Sequence, residues 1–597
     1  MKTVQKSPGK KEATSLNKKI AIGILILLAL LGLGITGISL LPYPLIQSTL
    51  NHLAANKHAD FFNYPLYLRT RLFLATGGIV FILLSVLGAI RLEQTQDVIS
   101  RLVGSIASFI NSFGRQIVEY GRKDGWIYRT GLFIVFLIGI IIRGMLLFNP
   151  IRSDEAYTYV DFSSKAFIHL ISDYSAPNNH ILHSILVHIA VAIFGNQPWA
   201  IRLPAFLAGA LLIPAGYLLA RMIYNKEAAL LAATLIATCP ALIEFSDYAR
   251  GYSMICVISE LLIILGVFII REQSPGSWFF FVVVSVLGFY TIPIMLYPYA
   301  CVTVWISLSF LIRQQAKRLW EVGLSTLAVI IFTVLLYAPV LFVSGFRALV
   351  SNEYVSSKSW STFVAGFLPS IGSTLVQWSR GVPIPISGLV ALGLVMALIF
   401  NRRLSNTRPS LFLPTVVCLA LLLMIQRVNP FSRVWLFLLP WVLIAASAGC
   451  LFPFQHFSGF DRKYSKFLIP AAEVLLCVGL AISARNSFNG YQPEDSYNDA
   501  KDVAAFLAPR LGKGDRVVLV VPEISPLEYY LILDRASTQY LYVNYTDAER
   551  LIILVDEPKQ TLDNIMNRND IPEEPFNQPD LLKVIGSTDI YQMTRKN

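Results

Sequence analysis

The sequence predicts an all-α polytopic membrane bundle of about thirteen transmembrane helices, with a small C-terminal α/β domain outside the membrane. Three observations predict it. Of 597 residues, 55% are hydrophobic and only 14% are charged, against about 25% charged in soluble globular chains, and the mean hydropathy is +0.58. Apolar runs of about 20 residues, the length that crosses a bilayer, recur as far as residue 484. Beyond Ala484 the chain turns charged and proline-containing.

The candidate spans lie near 20–42, 71–91, 130–149, 199–221, 227–246, 251–271, 277–292, 294–312, 320–343, 386–401, 410–426, 433–452 and 466–484. Basic residues mark alternate junctions: Lys2–Lys19, Arg91–Arg129, Arg221 with Lys226, Arg271, Arg313 with Lys317 and Arg318, Arg402 with Arg403 and Arg408, and Arg462 with Lys463 and Lys466. Lys and Arg in short loops mark the cytoplasmic side. All seven clusters then share one face, with the N-terminus inside and the C-terminus outside.

The first run, Ile20 to about Leu41, follows lysines as in a signal peptide, but it exceeds the apolar core of such peptides, about 7–15 residues, and no small-residue cleavage site follows. It reads as an anchor. Residues 92–129 carry helical periodicity (Val98, Leu102, Ile106, Phe109, Phe113, Ile117) and several basic residues, which suits a helix on the inner leaflet or a solvated connector. Residues 181–195 are apolar but short, and contain His183 and His188. Counted as a span they would place every later basic cluster outside, so 160–196 is predicted to form interfacial or re-entrant helices on the external face.

Residues 485–597 show helix signals near 498–511, 525–533 and 559–567, strand signals at 516–521, 540–544 and 551–555, and two final short strands. No Gly-rich phosphate loop occurs there, so no nucleotide is assigned. Three parts result: an N-terminal extension (1–129), a transmembrane core (130–484) with external loops 150–198 and 344–385, and the external domain (485–597).

The net charge of +12 would suggest nucleic acid in a soluble protein. Here basic cytoplasmic loops against anionic headgroups account for it, so membrane lipids rather than nucleic acid are the expected partners. All six cysteines lie inside apolar spans, which argues against a disulfide framework and a thiolate zinc site.

Chemistry-bearing residues concentrate on the external face. The loop after the third span opens Asn149-Pro150-Ile151-Arg152-Ser153-Asp154-Glu155-Ala156-Tyr157 and closes on Ala176-Pro177-Asn178-Asn179-His180. Arg202 opens the next span, and Glu244, Asp247, Arg250 and Tyr252 lie at the junction of the fifth and sixth. Transfer to a hydroxyl or amine needs a base for the acceptor's proton and cations for the leaving group. Each residue has a plainer use: helix caps for Asp154, Glu155 and His180, a headgroup anchor for Arg202, a local ion pair for Asp247 with Arg250. Their convergence on one face favours a site. In the loop 344–385, Arg347, Glu353, Tyr354, Lys358, Trp360, Trp378 and Arg380 suit either a functional lid or a surface cap. Gln426, Arg427, Asn429 and Arg433 are secondary phosphate-binding candidates, and Glu260, mid-span, is read as structural.

Several segments together resemble the bacterial polyprenyl-phosphate-dependent glycosyltransferases of the GT-C superfamily, relatives of protein O-mannosyltransferases and of the lipid A aminoarabinose transferase. They are Ser153-Asp154-Glu155-Ala156-Tyr157, Asn178-Asn179-His180-Ile181-Leu182, Phe194-Gly195, Ile201-Arg202-Leu203-Pro204-Ala205 with Ala208-Gly209, and Ala249-Arg250-Gly251-Tyr252. The resemblance is dense over 130–310 and thinner over 410–455, where Phe431-Ser432-Arg433 and Leu439-Pro440 match. It implies a GT-C type bundle and inverting transfer of a sugar from a polyprenyl-phosphate donor to an acceptor lipid, glycan or protein, at a bacterial plasma membrane. It further implies Asp154 as base or acceptor-orienting group, with Glu155 binding acceptor or positioning the loop. Arg152, Asn179, His180, Arg202, Asp247, Arg250, Tyr252 and Arg433 are the expected substrate-binding set, and the resemblance carries no nucleotide-sugar donor. A divalent cation on Asp154, Glu155 and His180 is chemically open, although the closer relatives imply metal independence. Some relatives have His-Pro-Pro or Lys-Pro-Pro where this chain has His180-Ile181-Leu182, so the acceptor class is not transferable. The rival class is a lipid or solute transporter, which places polar groups at midplane in repeated halves. Only Glu260 suits it. A third reading is a catalytically dead scaffold whose external domain binds a partner; Asp154 with both arginines argues against it.

Overall fold

The computed structural model describes residues 8–53, 62–272, 274–350, 356–456, 462–489, 496–520, 523–541, 548–557, 559–571 and 574–596. Lys2 and Lys6, Glu353 and Tyr354, Val521 and most of the strand expected at 540–544 lie outside the described residues.

Every predicted apolar segment is helical. Among the described residues eight helices are long and apolar enough to cross a membrane: Lys18–Ser39, Tyr64–Ile90, Leu92–Leu146, Pro198–Ile223, Tyr252–Glu272, Pro293–Ile312, Ala316–Leu336 and Phe467–Phe488. Two bent pairs raise that to ten, Lys226–Thr238 with Pro240–Ser246 (60°) and Trp360–Ser379 with Ile384–Ile399 (119°). Pro275–Thr291, Phe412–Gln426 and Leu438–Pro453 are shorter apolar helices, as is Ile181–Phe194. Eight to ten of the predicted spans are thus long enough to cross by length and composition, and three more (277–292, 410–426 and 433–452) fall on helices shorter than 18 residues.

The expected external loop 344–385 is largely helical. Trp360–Ser379 is a 20-residue helix capped by Ser359, whose hydroxyl accepts the Thr362 N–H at 3.2 Å. It folds back on its successor at Gly381, where φ is +72° and a Cβ would stand 2.6 Å from Ser487 Cβ. Only glycine suits that conformation without strain. The predicted linker 92–129 is likewise helical, continuous with the third span across a kink at Gly125, and Phe109 packs it against Phe268 and Phe280 at the end of the bundle away from the site.

The centre of the bundle is the buried helix Lys226–Thr238, whose alanines (228, 229, 232, 233, 237) let neighbouring helices approach closely. It breaks at Cys239-Pro240, because proline offers no N–H to continue the ladder. The carbonyls freed by the break are taken by Arg143, which the sequence reading passed over inside the third span. Its Nη1 donates to Ala237 O (2.8 Å) and Gly139 O (3.1 Å), Nη2 to Ile236 O (3.1 Å), and Nε to Ser246 Oγ (3.1 Å). The second half of the broken helix therefore has a fixed direction, and it carries Glu244 and leads to Asp247.

The C-terminal domain holds a four-stranded sheet of β1 (Asp515–Val518), β2 (Arg550–Asp556), β3 (Asp580–Ile585) and β4 (Thr588–Thr594) in the order β1-β2-β4-β3. β1 and β2 are parallel and the other pairs antiparallel. Helices Ala500–Leu507, Ile524–Leu533 and Leu562–Arg568 accompany it, close to the predicted positions.

Candidate active site

The short helix Ser153–Thr158 follows the third span directly. Its start is fixed by Glu155, which reaches back to accept the Arg152 N–H at 3.0 Å. Asp154 and Glu155, adjacent on this helix, point to different surroundings.

Glu155 points inward. Arg202 grips it through two bonds, Nε to Oε1 (3.0 Å) and Nη2 to Oε2 (2.7 Å), and Ala249 N–H adds a third at 2.6 Å. Burial alone would raise the Glu155 carboxyl pKa, but Arg202 and the Arg152 N–H outweigh burial and hold it below the ordinary value. Arg202 donates its remaining N–H groups to Leu147 O (3.1 Å), Asn149 O (2.7 Å) and Pro150 O (2.8 Å). A guanidinium has five N–H groups, and all are committed to the protein. The substrate contact expected of Arg202 has no N–H left to make it.

Asp154 points to the opening and keeps a quarter of its side chain exposed. Oδ2 lies 2.8 Å from Arg250 Nη1 and 3.3 Å from Arg433 Nη1, and accepts the Tyr248 hydroxyl at 2.9 Å. Asn178 Nδ2 donates to Oδ1 at 3.3 Å. Burial pushes the Asp154 pKa up, yet Arg250 and Arg433, with Tyr248 and Asn178, hold it below the ordinary carboxylate value. The carboxylate is thus ionised and oriented by three other segments of chain.

His180 sits behind Arg250. Gly251 N–H donates to its Nδ1 at 2.9 Å, and Arg250 Nη2 lies 3.2 Å from its Nε2. Burial, and then the charge of Arg250, holds its pKa well below the ordinary histidine value. Tyr252 meets the ring edge-on at 5.3 Å between centroids. His180 is buried and neutral, a support for Arg250. Of the two adjacent asparagines, Asn179 turns away, its Nδ2 donating to Leu170 O (2.9 Å) and Asp173 O (2.7 Å), while Asn178 faces Asp154. Arg152 reaches Glu244 at 3.0 Å and lies over the Tyr248 ring; Arg380 holds the other Glu244 oxygen. Asp247 is buried 3.9 Å from Arg202, and burial, only partly offset by that charge, raises its pKa to about 7.

The structure therefore brings Asp154, Arg250, Arg433 and Tyr252 to one place, with Arg152 beside them, and turns Glu155, Arg202, Asn179 and His180 to support. Tyr248 and Asn178 join the carboxylate directly. Both stand in segments the sequence singles out, Tyr248 beside the charged Asp247 and Asn178 beside Asn179, the amide of the expected set. The secondary candidates divide: Gln426 accepts the Tyr297 hydroxyl (2.6 Å), Asn429 donates to Phe363 O (3.2 Å) and Arg427 lies over the Trp360 ring (5.9 Å), while Arg433 meets Asp154. Glu260 is fully buried in the bundle beside Gly216, apart from this cluster.

The residues do not fit a divalent ion. Asp154 faces two guanidiniums, Glu155 is bound to a third, and His180 Nδ1 is occupied by a backbone N–H. Among the described residues no three His, Cys, Asp or Glu side chains gather as a ligand set.

Residues 178–342 match the sequence model of the dolichyl-phosphate-mannose-protein mannosyltransferase family. Comparison with curated proteins found no match. Among solved structures, ArnT from Cupriavidus metallidurans in the apo state is similar with a TM-score of 0.53 at 13% identity, covering 78% of this chain and 98% of that chain. The same protein bound to undecaprenyl phosphate has a TM-score of 0.53 at 12% identity, with the same coverage. The Archaeoglobus fulgidus oligosaccharyltransferase in complex with Zn and sulfate has a TM-score of 0.40 at 13% identity, covering 76% of this chain and 72% of that chain. The helical bundle with its small C-terminal sheet domain has an ArnT-like fold.

Proposed function

We propose that this chain, a GT-C glycosyltransferase by its family match and its fold, transfers a sugar with inversion from a polyprenyl-phosphate donor to an acceptor hydroxyl outside the cytoplasm. The observation that carries the reading is Asp154, a partly exposed carboxylate flanked by two guanidiniums at one end of a multi-pass membrane bundle.

The acceptor oxygen attacks the anomeric carbon, and a new C–O bond forms there as the bond to the phosphate oxygen breaks. The acceptor proton passes to Asp154, and the bonding electrons leave with polyprenyl phosphate. Arg250 and Arg433 supply positive charge where the departing phosphate gains negative charge. Because its pKa is depressed, Asp154 is a weak base that accepts the proton late, once the acceptor oxygen has become acidic through bonding. Glu155, Arg202, His180 and Asn179 hold the loop and Arg250 in place. The acceptor is a lipid, a glycan or a protein. The arrangement of basic junctions supports an orientation with the site and C-terminal domain outside the cytoplasm, and the family resemblance supports a bacterial plasma membrane.

A panel of radiolabelled polyprenyl-phosphate sugars, incubated with purified protein and a membrane extract, tests this. Labelled product whose anomeric configuration is opposite to that of the donor is expected. Transfer from nucleotide sugars alone, or retention of configuration, would overturn it.

A further inference from the structure

We infer that the C-terminal domain clamps the Asp154 loop in its working position, with Tyr530 as the positioning residue at the contact. Tyr529 and Tyr530 are neighbours on the helix Ile524–Leu533, and they reach the two ends of the loop 150–198. The Tyr530 hydroxyl accepts the Ile151 N–H at 3.2 Å, three residues before Asp154. The Tyr529 hydroxyl donates to Asn196 O at 2.5 Å, just before the helix that carries Arg202.

Other contacts extend the clamp. The Tyr529 ring meets Tyr159 edge-on at 5.6 Å, and Arg152 forms an antiparallel bridge with Ser496, where the domain begins. Ile151, Ala156, Tyr159 and Ala249 from the site share one buried apolar cluster with Leu527, Tyr529 and Tyr530. Residues 149–155 are thus held from below by Arg202, which gathers the carbonyls of Asn149 and Pro150, and from above by Tyr530, which takes the next N–H along the chain. Asp154 needs both holds. The Ile151 N–H is buried and would lose its partner without the hydroxyl, and a carboxylate displaced by about 1 Å loses on the order of a hundredfold in rate.

This rests on the glycosyltransferase reading only for its kinetic arm. Amide hydrogen exchange on the full chain is compared for wild type, Tyr530→Phe and Arg550→Gln. Arg550 of β2 pairs with Asp515 of β1 at 2.6 Å, so its loss removes a side-chain pair of the domain while the helix Ile524–Leu533 and both tyrosines stay in place. Tyr530→Phe is expected to speed exchange over residues 149–163 about tenfold, while Arg550→Gln leaves that segment unchanged. Tyr529→Phe, which releases the other end, is expected to speed exchange near residue 196. In transfer assays Tyr530→Phe lowers kcat about tenfold and leaves the donor KM within about twofold. Unchanged exchange at 149–163 in Tyr530→Phe, or an equal rise in Arg550→Gln, would overturn the clamp. Absence of transfer by the wild type would instead sink the enzymatic reading, and the exchange data would still decide the clamp.

Discussion

Asp154 and Glu155 are neighbouring carboxylates with different environments, and the difference sets what each substitution does. Glu155→Gln breaks a buried, bidentate ion pair with Arg202. The expected loss of stability is about 3–5 kcal/mol, since a buried guanidinium is left uncompensated; thermal unfolding in detergent checks it, and an unchanged midpoint would refute the assignment. The pH dependence has two opposite contributions. Glu155 has a lowered folded pKa, so its stabilisation is present above the unfolded value, about 4.3, and disappears as pH falls through the folded one. Asp247, raised to about 7 by burial, is favoured in its protonated form, so the stability it allows falls as pH rises from about 4 towards 7. Asp247→Asn is therefore expected to raise the unfolding midpoint at pH 8 and to change it little at pH 4. A uniform shift across that range would argue against the buried, protonated carboxyl. Residue type could not tell Asn178 from Asn179, and Asp154 was told from Glu155 through the family resemblance alone: adjacent side chains point in different directions, and the direction depends on where a short helix starts. Charge type and loop position were legible. Orientation was not.

At the scale of elements, spans were legible because a bilayer demands about 20 apolar residues in a row, and the C-terminal strands because alternation and turn residues stand out. Trp360–Ser379 was missed as a helix because its serines, threonines and Pro369 dilute the apolar pattern. Arg143 was missed because a single charge is submerged in an apolar run, although a lone arginine in a span invites attention. Its role is at the break in Lys226–Ser246, where it satisfies carbonyls that lipid cannot. Arg143→Met is expected to destabilise the fold by several kcal/mol, about 1–3 for each unsatisfied buried group, and to reduce transfer because Tyr248 and Arg250 follow the broken helix. Arg143→Lys should recover only part of the loss, since one ammonium cannot span the same acceptors. Full stability and activity in Arg143→Met would contradict this.

For the whole molecule, the arrangement joins three parts at one end of the bundle: the loop with Asp154, the broken helix with its arginine, and the C-terminal domain. The proposed orientation places that end outside the cytoplasm. Single cysteines at Ser537 and Ser405, in a chain whose six native cysteines are replaced, test it in intact cells. Labelling of the first and protection of the second by an impermeant maleimide is expected; the reverse pattern would invert the topology and the site with it. The most direct measurement is single-turnover transfer by wild type and Asp154→Asn from the best donor, with donor binding measured on the same samples. The account predicts binding retained within a few-fold and transfer slowed by about 10²–10⁴, the usual contribution of a positioned base. Transfer by Asp154→Asn at the wild-type rate would remove Asp154 from the chemistry.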